Sequence, residues 1–135
     1  MKKIIIYTDG GARGNPGPAG IGAVLSDEDG RVEKEISKYI GKATNNQAEY
    51  QALIAALSEA KKIGAKEVRV FMDSELIVKQ MNREYKVKNK DLAKLFIKVY
   101  NLTLNFSKIS FKHVRRERNG HADKLVNLAI DNALK

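Results

Sequence analysis

Four acidic residues lie at separate places in the chain, each where an element of regular structure is predicted to begin, end or present its buried side. They are Asp9, Glu49, Asp73 and Asp123. Ionised carboxylates gathered beside a core are costly, so they need a cation or must take up protons. Oxygen ligands in a chain without cysteine suit a hard ion, and Mg²⁺, with Mn²⁺ as a substitute, fits better than zinc.

Two of the acids follow short apolar runs that are typical of buried strands. Asp9 comes after residues 2–8, and Asp73 comes after residues 68–72. We therefore expect each of these acids to end a core strand. Ser74 follows the second acid at once and is a good N-cap for a helix.

The other two acids belong to predicted helices. Glu49 lies near the start of a helix over residues 46–63, on the side that carries its apolar stripe. Asp123 lies in the first turn of the last helix, with Asn119 as its predicted cap. Taken singly, each of the four acids also fits an ordinary role in a turn or at a helix N-terminus, and that alternative stays open.

The coarse order of elements is strand, strand, strand, helix, strand, helix, helix, strand, helix, which predicts an α/β fold. Segments 20–25 and 31–40 flank the turn sequence DEDG, so we expect an antiparallel hairpin there. The second segment also has apolar residues spaced by four, which a helix would explain equally well: Val32, Ile36 and Ile40.

Composition favours one enzyme-sized domain over residues 1–135 with an anionic partner. The chain has no cysteine and no apolar stretch long enough for a membrane span or a signal peptide. We expect a cytoplasmic monomer with no membrane association and no protein partner. The net charge of +9 favours nucleic acid as the ligand, although surface lysines also serve solubility alone.

Five segments, taken in order, resemble type 1 ribonuclease H and extend through almost the whole chain. They are YTDGGARGNPGPAGIGAVL (7–25), TNNQAEYQALIAAL (44–57), FMDSELIVKQMN (71–82), VKNKDL (87–92) and HVRRERNGHADKLVNLA (113–129). The resemblance implies a mixed five-stranded sheet with helices on both faces. It also implies an endonuclease that hydrolyses the RNA strand of RNA–DNA hybrids and leaves 5′-phosphate and 3′-hydroxyl ends.

For the four acids, the resemblance implies two Mg²⁺ ions, one activating a water and one stabilising the leaving 3′-oxygen. Asp9 would bridge both ions. Glu49 and Asp73 would bind one ion, and Asp123 would bind the other.

The resemblance also implies a set of nucleic-acid contacts. The glycine-rich loop, with Gly10 and Gly11, would let the backbone approach the RNA strand. Three asparagines would contact the minor groove: Asn15, Asn45 and Asn46. For Asn45 and Asn46, helix capping is the ordinary alternative. A phosphate of the DNA strand would be held by Lys42, Thr44 and Asn89. Further cations predicted at the backbone are Lys86, Lys88, Arg115, Arg116 and Arg118.

Two departures from the family pattern bear on function. Too few residues separate Met81 from Leu92 for the basic protrusion that many members carry. Neither His113 nor His121 stands in the family's histidine position, and neither is assigned a catalytic role. Two alternatives stay open: a hybrid-binding module with weak or no turnover, and another nuclease of the superfold, such as a transposase-type nuclease or a 3′-to-5′ exonuclease.

Overall fold

A mixed five-stranded sheet forms the centre of the protein. The computed structural model describes residues 2–135, and the strands are β1 (Lys3–Ala12), β2 (Gly17–Ser26), β3 (Val32–Ala43), β4 (Glu67–Met72) and β5 (Lys108–His113). They lie in the order β3-β2-β1-β4-β5. The first three strands are antiparallel, and β4 and β5 run parallel to β1. The predicted α/β class and the predicted sheet are confirmed.

Helices cover both faces of this sheet, as expected. They are α1 (Asn45–Ile63), α2 (Glu75–Met81), α3 (Lys90–Thr103) and α4 (Gly120–Ala133), the last preceded by a 3₁₀ turn, Arg116–Asn119. Successive strand residues point to opposite faces. On one face Ile4 and Ile6 are fully buried in the core that α1, α2 and α3 cover. On the other face α4 packs across β2, β3 and β1.

The hairpin between β2 and β3 forms as predicted. Asp27 Oδ1 accepts hydrogen bonds from the backbone N–H groups of Asp29 and Arg31, both at 2.9 Å. Gly30 lies between them with a φ of +83°, which a side chain would disfavour. The helical alternative for the segment after the turn is wrong, because the turn directs the chain back along β2 as an edge strand.

β1 is longer than its apolar pattern predicts. It continues to Ala12, so Asp9 lies within the strand, opposite Gly22 of β2, and does not end it. The parallel pairing of β1 with β4, however, stops at the pair Thr8–Met72. The prediction that Asp9 ends its strand is therefore wrong, because the glycines that resemble a loop in sequence extend a hairpin. Asp73 directly follows β4, as expected.

Three helices begin with side-chain caps, at Thr44, Ser74 and Asn89. The cap at Ser74 confirms the prediction. Because Thr44 forms a capping box with Gln47, the capping alternative for the two following asparagines is wrong. Asn119 occupies the N-cap position of α4, as predicted, but its side chain makes no cap hydrogen bond.

The segment 82–89 between α2 and α3 contains no helix, in agreement with the missing protrusion. Within residues 2–135, no helix is both long and apolar enough to cross a membrane.

Candidate active site

The structure brings the four predicted acids to one recess. Asp9, Glu49 and Asp73 each place a carboxylate oxygen within 4.8 Å of the others. Asp123 lines the same recess, which measures about 380 Å³. Four elements therefore supply the acids: β1, α1, the end of β4 and α4.

Two glycines set how closely the helices approach the central strands. A Cβ atom on Gly10 would lie 2.3 Å from the carbonyl carbon of Ala48 in α1. A Cβ atom on Gly22 would lie 2.3 Å from the carbonyl oxygen of Ala122 in α4. Both helices thus touch the sheet backbone where only glycine fits, and this contact holds the acids of α1 and α4 beside β1.

Glu49 belongs to the helix layer on the far side of the sheet from α4, yet it meets Asp9. The parallel pairing explains this approach, since β4 ends at Met72 and leaves the edge of β1 uncovered beyond Thr8. Glu49 reaches the other carboxylates at that opening.

Burial and mutual repulsion shape the electrostatics of the acids. Burial, followed by the negative charges of Asp73 and Asp123, raises the pKa of Asp9 to about 8. Burial, and then the charges of Asp9 and Asp73, raises the pKa of Glu49 well above its ordinary value. The backbone N–H of Gly10 opposes both pKa shifts.

The acids fit a bound cation. Within residues 2–135, Glu49 Oε1 is buried and has no hydrogen-bond partner. A buried carboxylate oxygen without a donor is unfavourable, and a divalent cation would satisfy it. The donor set consists of carboxylate oxygens alone, which hard ions prefer.

Three further residues organise the site, and the motifs did not single them out for these roles. Asn127 donates from Nδ2 to the backbone carbonyl of Asp123 at 3.1 Å and to its Oδ2 at 3.4 Å. The signal for it in the sequence is the i, i+4 spacing on one helix. Asn119 donates from Nδ2 to the carbonyl of Thr8 at 2.8 Å and so attaches the start of α4 to β1. Arg13 pairs with Asp131 of α4 at 2.6 Å, which secures the loop between β1 and β2.

A second recess, of about 450 Å³, adjoins the first and contains five predicted contact residues: Asn15, Thr44, Asn45, Asn46 and Asn89. We call it the amide recess. Thr44 and Asn89 cap α1 and α3, so two helix N-termini meet there, each with a partial positive charge. Asn15 Oδ1 accepts from the N–H of Asn45 at 3.0 Å, and Asn45 Oδ1 accepts from the N–H of Ala12 at 2.8 Å. The amide oxygens are thus occupied, and the amino groups of Asn15 and Asn45 remain as donors.

The predicted cations do not form one cluster. Arg116 lines the acidic recess, with Nε 4.0 Å from Asp73 Oδ2. Arg118 lines a separate recess with His121, whose ring pairs with Glu35 of β3. Arg115 is exposed before the 3₁₀ turn.

The remaining residues considered in the sequence analysis are spread over several parts of the molecule. Lys86 and Lys88 are both exposed on segment 82–89, and Lys86 borders an apolar groove. Lys42 lies outside the amide recess, in the neighbouring one. Gly10 is buried beneath α1, a packing role that the sequence did not predict, and Gly11 lines the acidic recess. His113, at the end of β5, is exposed.

This sheet order, with acids from four elements in one recess, defines the ribonuclease H-like class of nucleic-acid enzymes. A family model described as reverse transcriptase-like matches residues 7–129. A ribonuclease H from Chlorobium phaeobacteroides is 35% identical over 148 residues, which cover 98% of each chain. The chain belongs to the ribonuclease H family.

Two further comparisons give closer likenesses. The crystal structure of LC11-RNase H1 in complex with an RNA/DNA hybrid is 53% identical, with a TM-score of 0.94, and the match covers 98% of this chain and 99% of that one. A bifunctional protein of Mycobacterium tuberculosis is 50% identical over 132 residues, which are 97% of this chain. The chain spans only 36% of the length of that relative.

Proposed function

We propose that this protein is a metal-dependent endonuclease that hydrolyses the RNA strand of RNA–DNA hybrids and leaves 5′-phosphate and 3′-hydroxyl ends. The convergence of Asp9, Glu49 and Asp73 within 4.8 Å of one another, beside Asp123, carries the proposal. The named ribonuclease H relatives and the hybrid-bound structure of a similar protein support it. In this proposal residues 1–135 act as one ribonuclease H domain.

The acids act as the ligands of two Mg²⁺ ions, for which Mn²⁺ can substitute. Bound there, such ions would make a water nucleophilic and stabilise the leaving 3′-oxygen. Asp9 would hold both ions, Glu49 and Asp73 would hold one of them, and Asp123 would hold the other. Asn127 holds Asp123 in place through its two hydrogen bonds.

The neighbouring residues bind and orient the hybrid. Arg116 borders the acids and offers its guanidinium to the phosphate of the RNA strand. The amino groups of Asn15 and Asn45 match the acceptors that the minor groove presents, including 2′-hydroxyl oxygens. The two helix N-termini at Thr44 and Asn89 suit a phosphate of the DNA strand.

The test is incubation with end-labelled RNA–DNA hybrid, duplex DNA and duplex RNA, in Mg²⁺, in Mn²⁺ and in EDTA. We expect cleavage of the RNA strand of the hybrid in either metal and none in EDTA. Binding of the hybrid without cleavage would identify a hybrid-binding module instead. Equal cleavage of duplex DNA would identify another nuclease of the superfold.

The cytoplasmic location, the monomeric state and the lack of a protein partner stay predictions of the sequence. Sedimentation of the purified protein with and without hybrid tests the monomeric state, and we expect one protomer in both conditions.

A further inference from the structure

A third recess lies between the end of β3, α1 and α3 and measures about 730 Å³. We call it the lysine recess. Four lysines line it, Lys38 and Lys42 from β3 and Lys94 and Lys98 from α3, against a single acid among its described lining residues, Asp91. Four positive charges against one negative charge leave a local excess of three positive charges. Such a concave, single-sign surface attracts anions.

These four lysines are free to bind a ligand. None of them forms a salt bridge with an acid in residues 2–135, and all four are exposed. Other surface lysines do pair, as Lys79 does with Glu75 at 3.1 Å. Lys94 and Lys98 are one helical turn apart, a spacing at which like charges repel. A surface needed only for solubility has no reason to concentrate unpaired lysines in a concavity.

The lysine recess is continuous with the amide recess. Gln47 and Asp91 line both. A nucleic-acid strand with one phosphate at Thr44 would therefore pass directly over Lys42 into the lysine recess. The two recesses together make a positively charged path that leads away from the acids.

We propose that the lysine recess binds the DNA strand of the hybrid beyond the phosphate held at Thr44, through Lys38, Lys94 and Lys98. This inference rests on the proposed function, because it takes the hybrid as the substrate. The ligand is the phosphodiester backbone, since a lysine ammonium is a point charge that neutralises phosphate without reading bases. Binding there is independent of sequence and sensitive to salt.

The test compares a blunt hybrid with the same hybrid carrying a single-stranded DNA extension at its 5′ or its 3′ end. The variant is Lys94→Ala/Lys98→Ala, on the exposed side of α3, where alanine favours the helix. The control, Lys61→Ala/Lys62→Ala, removes the same charge from the exposed C-terminal end of α1, outside the recess. Binding is measured at several salt concentrations with Asp9→Asn added to each protein, so that the RNA strand stays intact.

We expect one of the two extensions to increase the affinity of the parent protein by roughly three- to tenfold at low salt. Lys94→Ala/Lys98→Ala should abolish this gain and lower the salt slope by about one to two units, whereas the control should keep the gain. Lys38→Ala, on the opposite wall of the recess, should also reduce the gain in affinity that the extension gives. Turnover of saturating hybrid, measured without Asp9→Asn, should be unchanged in the control Lys61→Ala/Lys62→Ala.

The inference is wrong if neither extension raises affinity, if the gain survives in Lys94→Ala/Lys98→Ala, or if the control loses it equally. Failure of the proposed function has a different signature: the wild-type chain would neither bind nor cleave the blunt hybrid. That result would also remove the DNA strand as the occupant of the recess.

Discussion

Asp9 and Glu49 are the two carboxylates that burial affects most. Each is less than a tenth exposed, and each has a raised pKa because burial and neighbouring negative charges disfavour ionisation. The folded chain without metal therefore carries repulsion at this point. A bound cation relieves that repulsion, so metal binding at these two residues stabilises the folded chain.

The first prediction concerns Asp9→Asn. We expect hydrolysis in Mg²⁺ to fall by at least about two orders of magnitude, because a carboxylate that serves both ions is lost. Hybrid binding should be largely retained, since the sheet is undisturbed. Single-turnover cleavage and equilibrium binding separate the two effects, and near-normal turnover would contradict the assignment of the acids.

The same variant tests the electrostatics through pH. The pKa of Asp9 rises from 3.8 to about 8 on folding, so between these values the folded state holds a proton that the unfolded state has released. The free energy of unfolding of the metal-free protein must therefore fall as pH rises through this interval. An asparagine side chain does not titrate, so Asp9→Asn lacks this loss of stability. In EDTA, the melting temperature of Asp9→Asn should therefore rise relative to that of the wild type as the pH increases from about 5 to about 8. A constant difference would show that Asp9 has no raised pKa.

Asn46→Ala tests whether Asn46 contacts the substrate or only stabilises the helix. The variant should weaken hybrid cleavage by about 1 to 3 kcal/mol, through the loss of an amide contact to the RNA strand. Its helix content should be unchanged, because Thr44 caps α1. Thr44→Ala is the matched comparison, and it should cost about 1 kcal/mol of stability. A frayed helix with normal kinetics in Asn46→Ala would assign that residue to the helix alone.

At the scale of elements, the contacts of the helices with the sheet backbone determine whether the acids meet. α1 approaches β1 over Gly10, and α4 approaches β2 over Gly22. Asn119 adds a hydrogen bond between the start of α4 and β1. The position of Asp123 therefore depends on strand residues that touch no substrate.

Gly22→Ala should separate α4 from the sheet, because its Cβ would overlap the carbonyl oxygen of Ala122. We expect a lower melting temperature and a greater loss of turnover than of hybrid binding, since Asp123 moves away from Asp9. Gly120→Ala is the control: it lies at the start of α4, has helical backbone angles and has nothing within 4 Å of its Cβ position. That control should leave turnover intact. Equal effects of the two substitutions would show that the close approach at Gly22 is unimportant.

At the scale of the whole molecule, the net charge of +9 is unevenly placed. One concentration is the lysine recess, and another is the segment 82–89, where many family members carry the basic protrusion. Because phosphate neutralisation releases counterions, the salt dependence of hybrid binding measures how many of these charges take part.

Lys86→Ala/Lys88→Ala tests the segment between α2 and α3. If both lysines contact phosphates, the salt slope of hybrid binding should fall by roughly two units, with turnover at saturation little changed. Titrations at several salt concentrations measure the slope. An unchanged slope would show that the segment is a solvated connector, and Arg115, Arg116 and Arg118 would then be the next residues to replace.

The sequence by itself predicted the elements and the acids. Strand and helix periodicity, the DEDG turn and Ser74 are local signals, and local signals are preserved in the fold. The five motif segments identified the four acids and the family, because those residue types recur in one order along the chain. These inferences need no knowledge of which residues meet in space.

Only the tertiary structure decided how those pieces combine. Asp9 lies inside β1 because pairing with β2 continues through glycines that resemble a loop in sequence. Arg116 and Arg118 enter different recesses because residues two apart in a 3₁₀ turn point in different directions. Glu49 reaches the acids through an opening that exists because β4 stops at Met72. Each result depends on contacts between residues far apart in the chain, and one sequence read alone carries no signal of such contacts.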